Sequence, residues 1–296
     1  TANKIANYCY EHGEEVRVVG VPKTIDNDLP ITDHCPGFGS AAKYIATTLM
    51  EVAADAEVYP MKSVVIAEIM GRNAGWLTAA AALTRELGGS YAPQLIYLPE
   101  AAFDPEQFVA DVRRELELCN TVVVAVSEGV RLADGSYVAE SMQSGQVDAF
   151  GHKYLAGVGK YLERLTADRI GCKVRSLELS VMQRAAAHLQ SATDLEEAVR
   201  AGEKAVEAML RGDTRIMVAY RRISDAPYRI AYETAPLSEV ANVEHKIPRE
   251  WINKAGNNVR EELVRYLAPL IQGEVSIPMK NGLPAHFAFD KTHFAK

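Results

Sequence analysis

The sequence lacks the features that mark several classes of protein. It has only four cysteines, Cys9, Cys35, Cys119 and Cys172, and none forms a C-x-x-C pair or stands at metal-ligand spacing from a histidine. Disulfide frameworks and zinc sites are therefore poorly supported, and free thiols in a reducing cytoplasm are the simpler interpretation. No apolar run approaches the ~20 residues that span a bilayer. The polar, helix-like start at Thr1 does not resemble a signal peptide.

An excess of positive charge is also missing. The formal net charge is −7, which makes a nucleic acid or an anionic membrane a poor partner. An anionic substrate is not excluded, because a pocket can be locally basic within an acidic chain. No G-x-G-x-x-G stands between a strand and a helix, so a dinucleotide-dependent oxidoreductase is disfavoured. With 48% hydrophobic residues in 296, the chain is large enough for one or two cores.

Short apolar runs alternate with helical patterns along the chain. Strands are predicted at 16–22, 63–70, 94–98, 121–126, 171–180, 214–222 and 228–237. Helices are predicted at 2–12, 39–57, 75–87, 105–118, 152–167, 194–211 and 257–271. This alternation predicts an α/β fold with a mostly parallel sheet and helices on both faces. In such folds ligands bind beyond the carboxyl ends of the strands.

The first polar motif at a strand end is PKTIDND, which follows the run at 16–22. Phosphoryl transfer needs a base for the acceptor hydroxyl and cations for the phosphoryl oxygens. Asp26 could be the base, Lys23 the cation and Thr24 a hydrogen-bond donor to phosphate. A solvated turn is the alternative, because Asp and Asn are common turn residues.

Three further motifs place polar residues at strand ends or in a late turn. Gly71 and Arg72 follow the run at 63–70, where glycine permits close approach to a ligand and arginine can bind phosphate. Glu128 follows the run at 121–126 and could accept hydrogen bonds from sugar hydroxyls. Arg175 and Arg184 could bind phosphate bidentately. Ordinary turns and surface ion pairs remain alternatives for all of them.

In this order and placement, PKTIDND, MGR followed by AGW, SEG and a late QR resemble the phosphofructokinases. The stretches ANKIANY, ANVEHKIPREWIN and PLIQGE resemble the pyrophosphate-dependent bacterial branch, and the likeness covers essentially the whole chain. The resemblance implies a phosphofructokinase-like α/β fold with two similar lobes that interleave, divided here as 1–135 and 136–296. It also implies a cytoplasmic, Mg²⁺-dependent enzyme that forms a homodimer or homotetramer and carries a phosphoryl group from diphosphate to fructose 6-phosphate.

The resemblance also implies a role for each motif. Asp26 would be the general base, assisted by Lys23 and Arg72. Residues expected to bind substrate are Thr24, Ile25, Asp26, Asp28, Met70, Gly71, Arg72, Glu128, Arg175, Val181 and Arg184. Of these, Arg184 and the segment from Val181 would bind the sugar and its 6-phosphate, and Arg175 would reach the 6-phosphate of a neighbouring subunit.

Some family features are absent or altered. A glycine-rich acidic loop that holds the donor phosphate and a Mg²⁺ carboxylate would be expected immediately upstream of Thr1, so we expect this chain alone to be inactive. Val181 and Ser63 stand where many members have other residues. Lys23 favours diphosphate as donor, but some ATP-using members share this lysine. An ATP-dependent phosphofructokinase and a non-catalytic, sugar-phosphate-binding regulatory subunit are the rival interpretations.

Overall fold

The computed structural model describes residues 1–87, 93–138, 157–240 and 243–285. The strands are β1 Val19–Gly20, β2 Ser63–Ile69, β3 Leu95–Tyr97, β4 Thr121–Ser127, β5 Lys173–Glu178, β6 Ile216–Asp225, β7 Tyr228–Pro236, β8 Met279–Lys280 and β9 Leu283–Pro284. The helices are α1 Ala2–Glu11, α2 Phe38–Glu57, α3 Trp76–Ala79, α4 Pro105–Leu118, α5 Val158–Ile170, α6 Met182–Ala185, α7 Ala192–Arg211, α8 Leu237–Val240 and α9 Glu261–Leu267. Turns of 3₁₀ helix span Ala80–Leu87, Arg249–Trp251 and Ala268–Ile271.

The larger sheet is parallel throughout, in the order β3-β4-β2-β5. Its central strands β2 and β4 are buried along their whole length, as expected for β-branched runs covered on both faces. Val64 and Ile66 point into one hydrophobic core, whereas Ala67 and Ile69 point into the other. The parallel α/β architecture predicted from the sequence is thereby confirmed.

Helices cover both faces of this sheet. One core contains Phe38 and Ile45 of α2 and Leu263 of α9. The core on the other face contains Phe108 of α4 and Leu162 of α5. In the described parts of the chain, no helix combines the length and the apolar character needed to cross a membrane.

A second sheet has the order β1-β6-β7, and β8 and β9 form a separate antiparallel pair. The predicted neighbours β6 and β7 form an antiparallel pair, and β1 runs parallel to β6. Only Val19 and Gly20 of the strand predicted at 16–22 join the ladder. The preceding residue, Val18, accepts a bond from the Arg215 backbone N–H at 2.8 Å, but its own N–H donates to the hydroxyl of Thr214 at 2.9 Å.

The four-stranded and three-stranded sheets both draw strands from the two halves of the chain. β1 pairs with β6, and β5 returns to pair with β2. The division into 1–135 and 136–296 stays a prediction, and part of the segment on which it rests lies outside the described residues. The strands nevertheless interleave across that division.

Two predicted helices are shorter than their sequence pattern. The pattern at 75–87 becomes α3 followed by a 3₁₀ turn. The pattern at 257–271 begins as a helix only at Glu261, because Val259 forms an extended bridge with Ile252. The helix predicted at 152–167 is described from Val158 onward, and the start of that prediction lies outside the described residues.

Candidate active site

The segment that follows β1, residues 23–28, forms a turn whose anchor is Asn27; we call these residues the catalytic turn. Asn27 is fully buried and has a left-handed backbone, with φ of 56°, a conformation that asparagine tolerates better than most residues. Its Oδ1 accepts a hydrogen bond from the backbone N–H of Cys35 at 2.9 Å. Its Nδ2 donates to the hydroxyl of Tyr266 at 3.0 Å. The turn is therefore fixed at its centre, between Asp26 and Asp28.

Asp26 lies in a partly buried, positively charged environment. Burial raises the pKa of Asp26 above its usual range, and the nearby charges of Arg72, Lys23 and Arg184 pull it back down. The Thr24 hydroxyl also stabilises the ionised form and accepts a hydrogen bond from the Asp26 backbone N–H at 3.1 Å. The structure thus brings together residues from three separate motifs around one carboxylate.

Asp28 is the second carboxylate of the catalytic turn. Burial raises its pKa, and the negative charge of Asp26 raises it further. Two carboxylates this close in sequence repel each other when both are ionised, so positive charge nearby stabilises the pair.

Arg72 is presented by a loop that packs directly on the third motif. The hydroxyl of Ser127 donates to the carbonyl of Gly71, and the Glu128 backbone N–H donates to the Ile69 carbonyl at 2.9 Å. The Nε atom of Arg72 is buried and has no hydrogen-bond partner among the described residues. A buried donor without a partner is costly, so this guanidinium is well suited to receive an anionic ligand.

We expect Gly129→Ala to destabilise the protein and displace Arg72. A Cβ at this position would lie 1.9 Å from the Arg72 carbonyl oxygen and 2.7 Å from the Gly71 carbonyl oxygen, so the loop must move. Overpacking of this kind costs about 1–3 kcal/mol, to be measured by urea unfolding. Gly202→Ala in α7, where a Cβ meets nothing within 4 Å, is the matched control and should be neutral or stabilising. Equal stability of the two variants would contradict the packing argument.

Glu128 faces the same edge of the sheet, and its carboxyl group binds a proton more readily than an exposed glutamate does. Burial raises its pKa to about 7, while a long hydrogen bond from the Gly71 N–H opposes the shift. The charges of Glu68 and Asp26 raise it further. A carboxyl group in this state can both accept hydrogen bonds from a polyol and donate one to it.

Glu68 is a site residue that the sequence reasoning missed. It lies within the buried strand β2, and burial raises its pKa to about 7. Its carboxylate accepts hydrogen bonds from the backbone N–H groups of Gly157 at 3.2 Å and Gly159 at 2.7 Å. The available signal was a single acidic residue inside the apolar run SVVIAEI.

We expect Glu128→Gln to change how stability depends on pH. Because the folded-state pKa is raised from 4.5 to about 7, the folded protein binds a proton more tightly than the unfolded chain does. The wild type should therefore lose stability as pH rises through that window, and the variant should lose less. Thermal unfolding at about pH 5 and about pH 8 would measure this difference. The exposed Glu117→Gln is the control, and parallel curves for all three proteins would contradict the assignment.

The residues expected to bind the sugar phosphate line two separate cavities. Ile25 and Arg184 line a cavity of about 270 Å³ between α2, α6 and α7, and Val181 is 52% exposed at the start of α6. Ile25 and Met70 also pack against the same core. The cavity with Arg184 is therefore contiguous with the catalytic turn.

Arg175 does not join this group within the chain. It is exposed on the edge strand β5 and lines a different cavity, of about 360 Å³, together with Lys173, Tyr59 and Ser63. Its expected role toward a neighbouring subunit stays a prediction.

The family is shown by comparison with known proteins. The family model "Phosphofructokinase" matches residues 1–209. A pyrophosphate–fructose 6-phosphate 1-phosphotransferase of Halomonas elongata is 44% identical over 286 residues, which are 96% of this chain and 67% of the relative. The enzyme of the same name from Xanthomonas campestris is 43% identical over 299 residues, covering 100% of this chain and 71% of the relative.

A solved structure of the same kind of enzyme has a similar fold. The crystal structure of a pyrophosphate-dependent phosphofructokinase from Marinobacter aquaeolei superposes with a TM-score of 0.84 at 37% identity, covering 96% of this chain and 67% of that one. This chain thus spans about two thirds of the length of such proteins. On the shared sequence, fold and strand-end motifs, the chain belongs to the phosphofructokinase family.

Proposed function

We propose that this chain carries the acceptor site of an enzyme that transfers a phosphoryl group from diphosphate to the 1-hydroxyl of fructose 6-phosphate. The products are fructose 1,6-bisphosphate and phosphate. The observation that carries the proposal is Asp26, a partly buried carboxylate under the influence of Arg72, Lys23 and Arg184. The names of the relatives that match over nearly the whole chain support the same reaction.

Asp26 acts as the general base in this reaction. The oxygen of the 1-hydroxyl forms a bond to the transferred phosphorus, the bond from that phosphorus to the bridging oxygen of diphosphate breaks, and the hydroxyl proton passes to Asp26. Inorganic phosphate leaves. Arg72 and Lys23 balance the negative charge on the phosphoryl oxygens, so this chain supplies both the base and part of the electrostatic stabilisation.

The remaining motif residues bind the sugar phosphate. Arg184 pairs with the 6-phosphate, because its guanidinium is exposed beside the cavity that Ile25 also lines. Glu128 holds sugar hydroxyls, and Thr24, Asp28, Met70, Gly71 and Val181 complete the acceptor site. These assignments rest on the family motifs together with the proximity of Arg72, Asp26 and Glu128.

Mg²⁺ is proposed to arrive with diphosphate. It usually keeps several waters and takes only one or two carboxylates besides substrate phosphates, and when bound it neutralises phosphate charge. The described residues contain no cluster of three His, Cys, Asp or Glu side chains able to hold a metal. Among these residues we therefore assign no carboxylate to Mg²⁺.

We also propose a homodimer or homotetramer that works in the cytoplasm. The cavity beside the edge strand β5 is lined by Arg175 and Lys173 and also by the acidic Glu51 and Asp55. A neighbouring subunit's sugar phosphate would bind at the two cationic side chains. All four cysteines are free thiols, which suits a reducing compartment.

A donor comparison tests the function. In a full-length enzyme that carries this chain, a coupled assay should show turnover with diphosphate well above that with ATP, and reversal with phosphate. Lys23→Gly should weaken apparent diphosphate affinity more than fructose 6-phosphate affinity, because an ammonium group pairs with the leaving phosphate. Faster turnover with ATP would replace the proposal with its ATP-dependent rival.

A further inference from the structure

A buried polar cluster adjoins the catalytic turn and takes no part in the proposed chemistry. At its centre is His34, whose side chain is 2% exposed. Its Nδ1 lies 2.8 Å from Oδ1 of Asp33, and its Nε2 lies 2.6 Å from Oε2 of Glu197. Glu197 belongs to α7, so the imidazole ring joins two parts of the chain that are far apart in sequence.

Only one protonation state of the ring satisfies both contacts with ionised carboxylates. A neutral imidazole has one N–H donor and one acceptor nitrogen, whereas the imidazolium has two donors. In a neutral ring, one nitrogen lone pair would face a carboxylate oxygen at hydrogen-bond distance. The geometry therefore requires a charged ring or a proton on one of the acids.

The distribution of charge favours the charged ring. Asp33 is already paired with Arg222, whose Nη2 donates to Oδ1 at 3.0 Å. Against burial, the bonds from His34 and Arg222 lower the pKa of Asp33, so it is ionised. Glu197 receives a hydrogen bond from the Tyr228 hydroxyl at 2.8 Å, and within the described ranges its one ion-pair partner is His34. A buried carboxylate needs such a partner.

The cluster connects to the catalytic turn through an unbroken series of hydrogen bonds. The Asp33 carbonyl accepts from the Tyr266 hydroxyl at 2.6 Å. The same Tyr266 oxygen accepts from the Asn27 amide at 3.0 Å, and Cys35 donates to Asn27 at 2.9 Å. The residues on either side of His34 therefore hold the residue next to Asp26.

We propose that His34 is a buried imidazolium that acts as a positioning residue: by tying residues 32–35 to Glu197 of α7, it fixes the catalytic turn. Its charge state rests on the hydrogen-bond geometry and the ion pairs around the ring, whereas its effect on turnover rests on the proposed function of Asp26.

The ring is also the group in this cluster whose charge changes most readily above neutral pH. The charged or ionisable side chains around it are Asp33, Glu197, Tyr220, Arg222, Tyr228 and Tyr266. Burial raises the pKa of each phenol and raises that of the adjacent Cys35 thiol to about 12, so these groups stay neutral. Burial lowers the pKa of His34, but its bonds to Asp33 and Glu197 outweigh that effect and raise it.

The stability that the His34 contacts provide should decrease as pH rises. Because the folded-state pKa exceeds the ordinary 6.5, the stabilisation is complete below that pH and is lost as pH rises through the folded-state pKa. We expect stability and kcat to decline together on the alkaline side. In Glu197→Gln, a neutral ring can accept a hydrogen bond from the new amide while donating to Asp33, so loss of the ring proton should cost little and the alkaline decline should flatten.

Histidine-ring ¹⁵N NMR of this chain tests the charge directly. At about neutral pH, above the ordinary histidine pKa of about 6.5, both nitrogens of the His34 ring should be protonated. His34→Gln assigns the His34 signals. A His34 ring with one unprotonated nitrogen at neutral pH would overturn the proposal.

Kinetics on the full-length enzyme test the positioning role. His34→Gln should lower kcat about tenfold or more, as expected when a base is displaced by a fraction of an ångström, with a much smaller change in KM. His12→Gln should behave as wild type. Identical kcat and pH profiles for both variants would overturn the positioning role, as would an unchanged alkaline decline in Glu197→Gln. If the wild type turns over neither donor, the proposed function fails, while the NMR result still decides the charge of His34.

Discussion

Asp26→Asn should lower kcat by about 10²–10⁴-fold, the usual contribution of a general base. The amide keeps the size of the carboxylate but cannot accept the proton of the sugar hydroxyl. KM for fructose 6-phosphate should change little, because Arg184 and Glu128 are left in place. Steady-state kinetics in a full-length enzyme that carries this chain would measure both constants.

The control for this variant is Asp168→Asn. Asp168 is exposed near the end of α5, so its loss of charge should leave kcat unchanged. If the Asp26→Asn enzyme keeps the wild-type kcat, Asp26 is not the general base.

Arg72→Met should lower kcat by about 10²–10³-fold, as expected for loss of one preorganised donor to a developing charge. It should also move the acidic limb of the kcat profile to higher pH. Arg72 is the strongest of the cations that hold down the pKa of Asp26, so its removal leaves burial less opposed and makes the base harder to ionise. Rates measured across the acidic range would show both effects.

Arg72→Lys separates charge from shape. Lysine keeps the positive charge but not the planar fork of donors, so the acidic limb should stay near its wild-type position while kcat falls to an intermediate value. Acidic limbs at the same pH in the methionine and lysine variants would contradict the electrostatic link between Arg72 and Asp26.

The parts of the fold that sequence could predict are those set by local pattern. The apolar runs that became β2 and β4, the amphipathic helix α7 and the hairpin of β6 and β7 all carry their periodicity in a single stretch. Because parallel strands end at one edge, the motifs that follow β2 and β4 could be placed near each other before any coordinates. Arg72 and Glu128 lie there together.

What sequence could not give are contacts between distant segments. Asn27 is fixed by Tyr266, and His34 is bound by Glu197; neither pair leaves a periodic trace in the chain. The length of β1 depends on its pairing with β6, and the late start of α9 depends on a bridge between Ile252 and Val259. The separation of Arg175 from Asp26 likewise follows from its place on the edge strand β5.

The pairing of β1 with β6 has a consequence for synthesis on the ribosome. Val19 finds its ladder partner in Ile216, and the anchor of the catalytic turn, Tyr266, comes later still. A nascent chain therefore carries Asp26 without the framework that orients it until residues as late as Tyr266 have been synthesised. The acceptor site cannot assemble in step with the synthesis of its own catalytic turn.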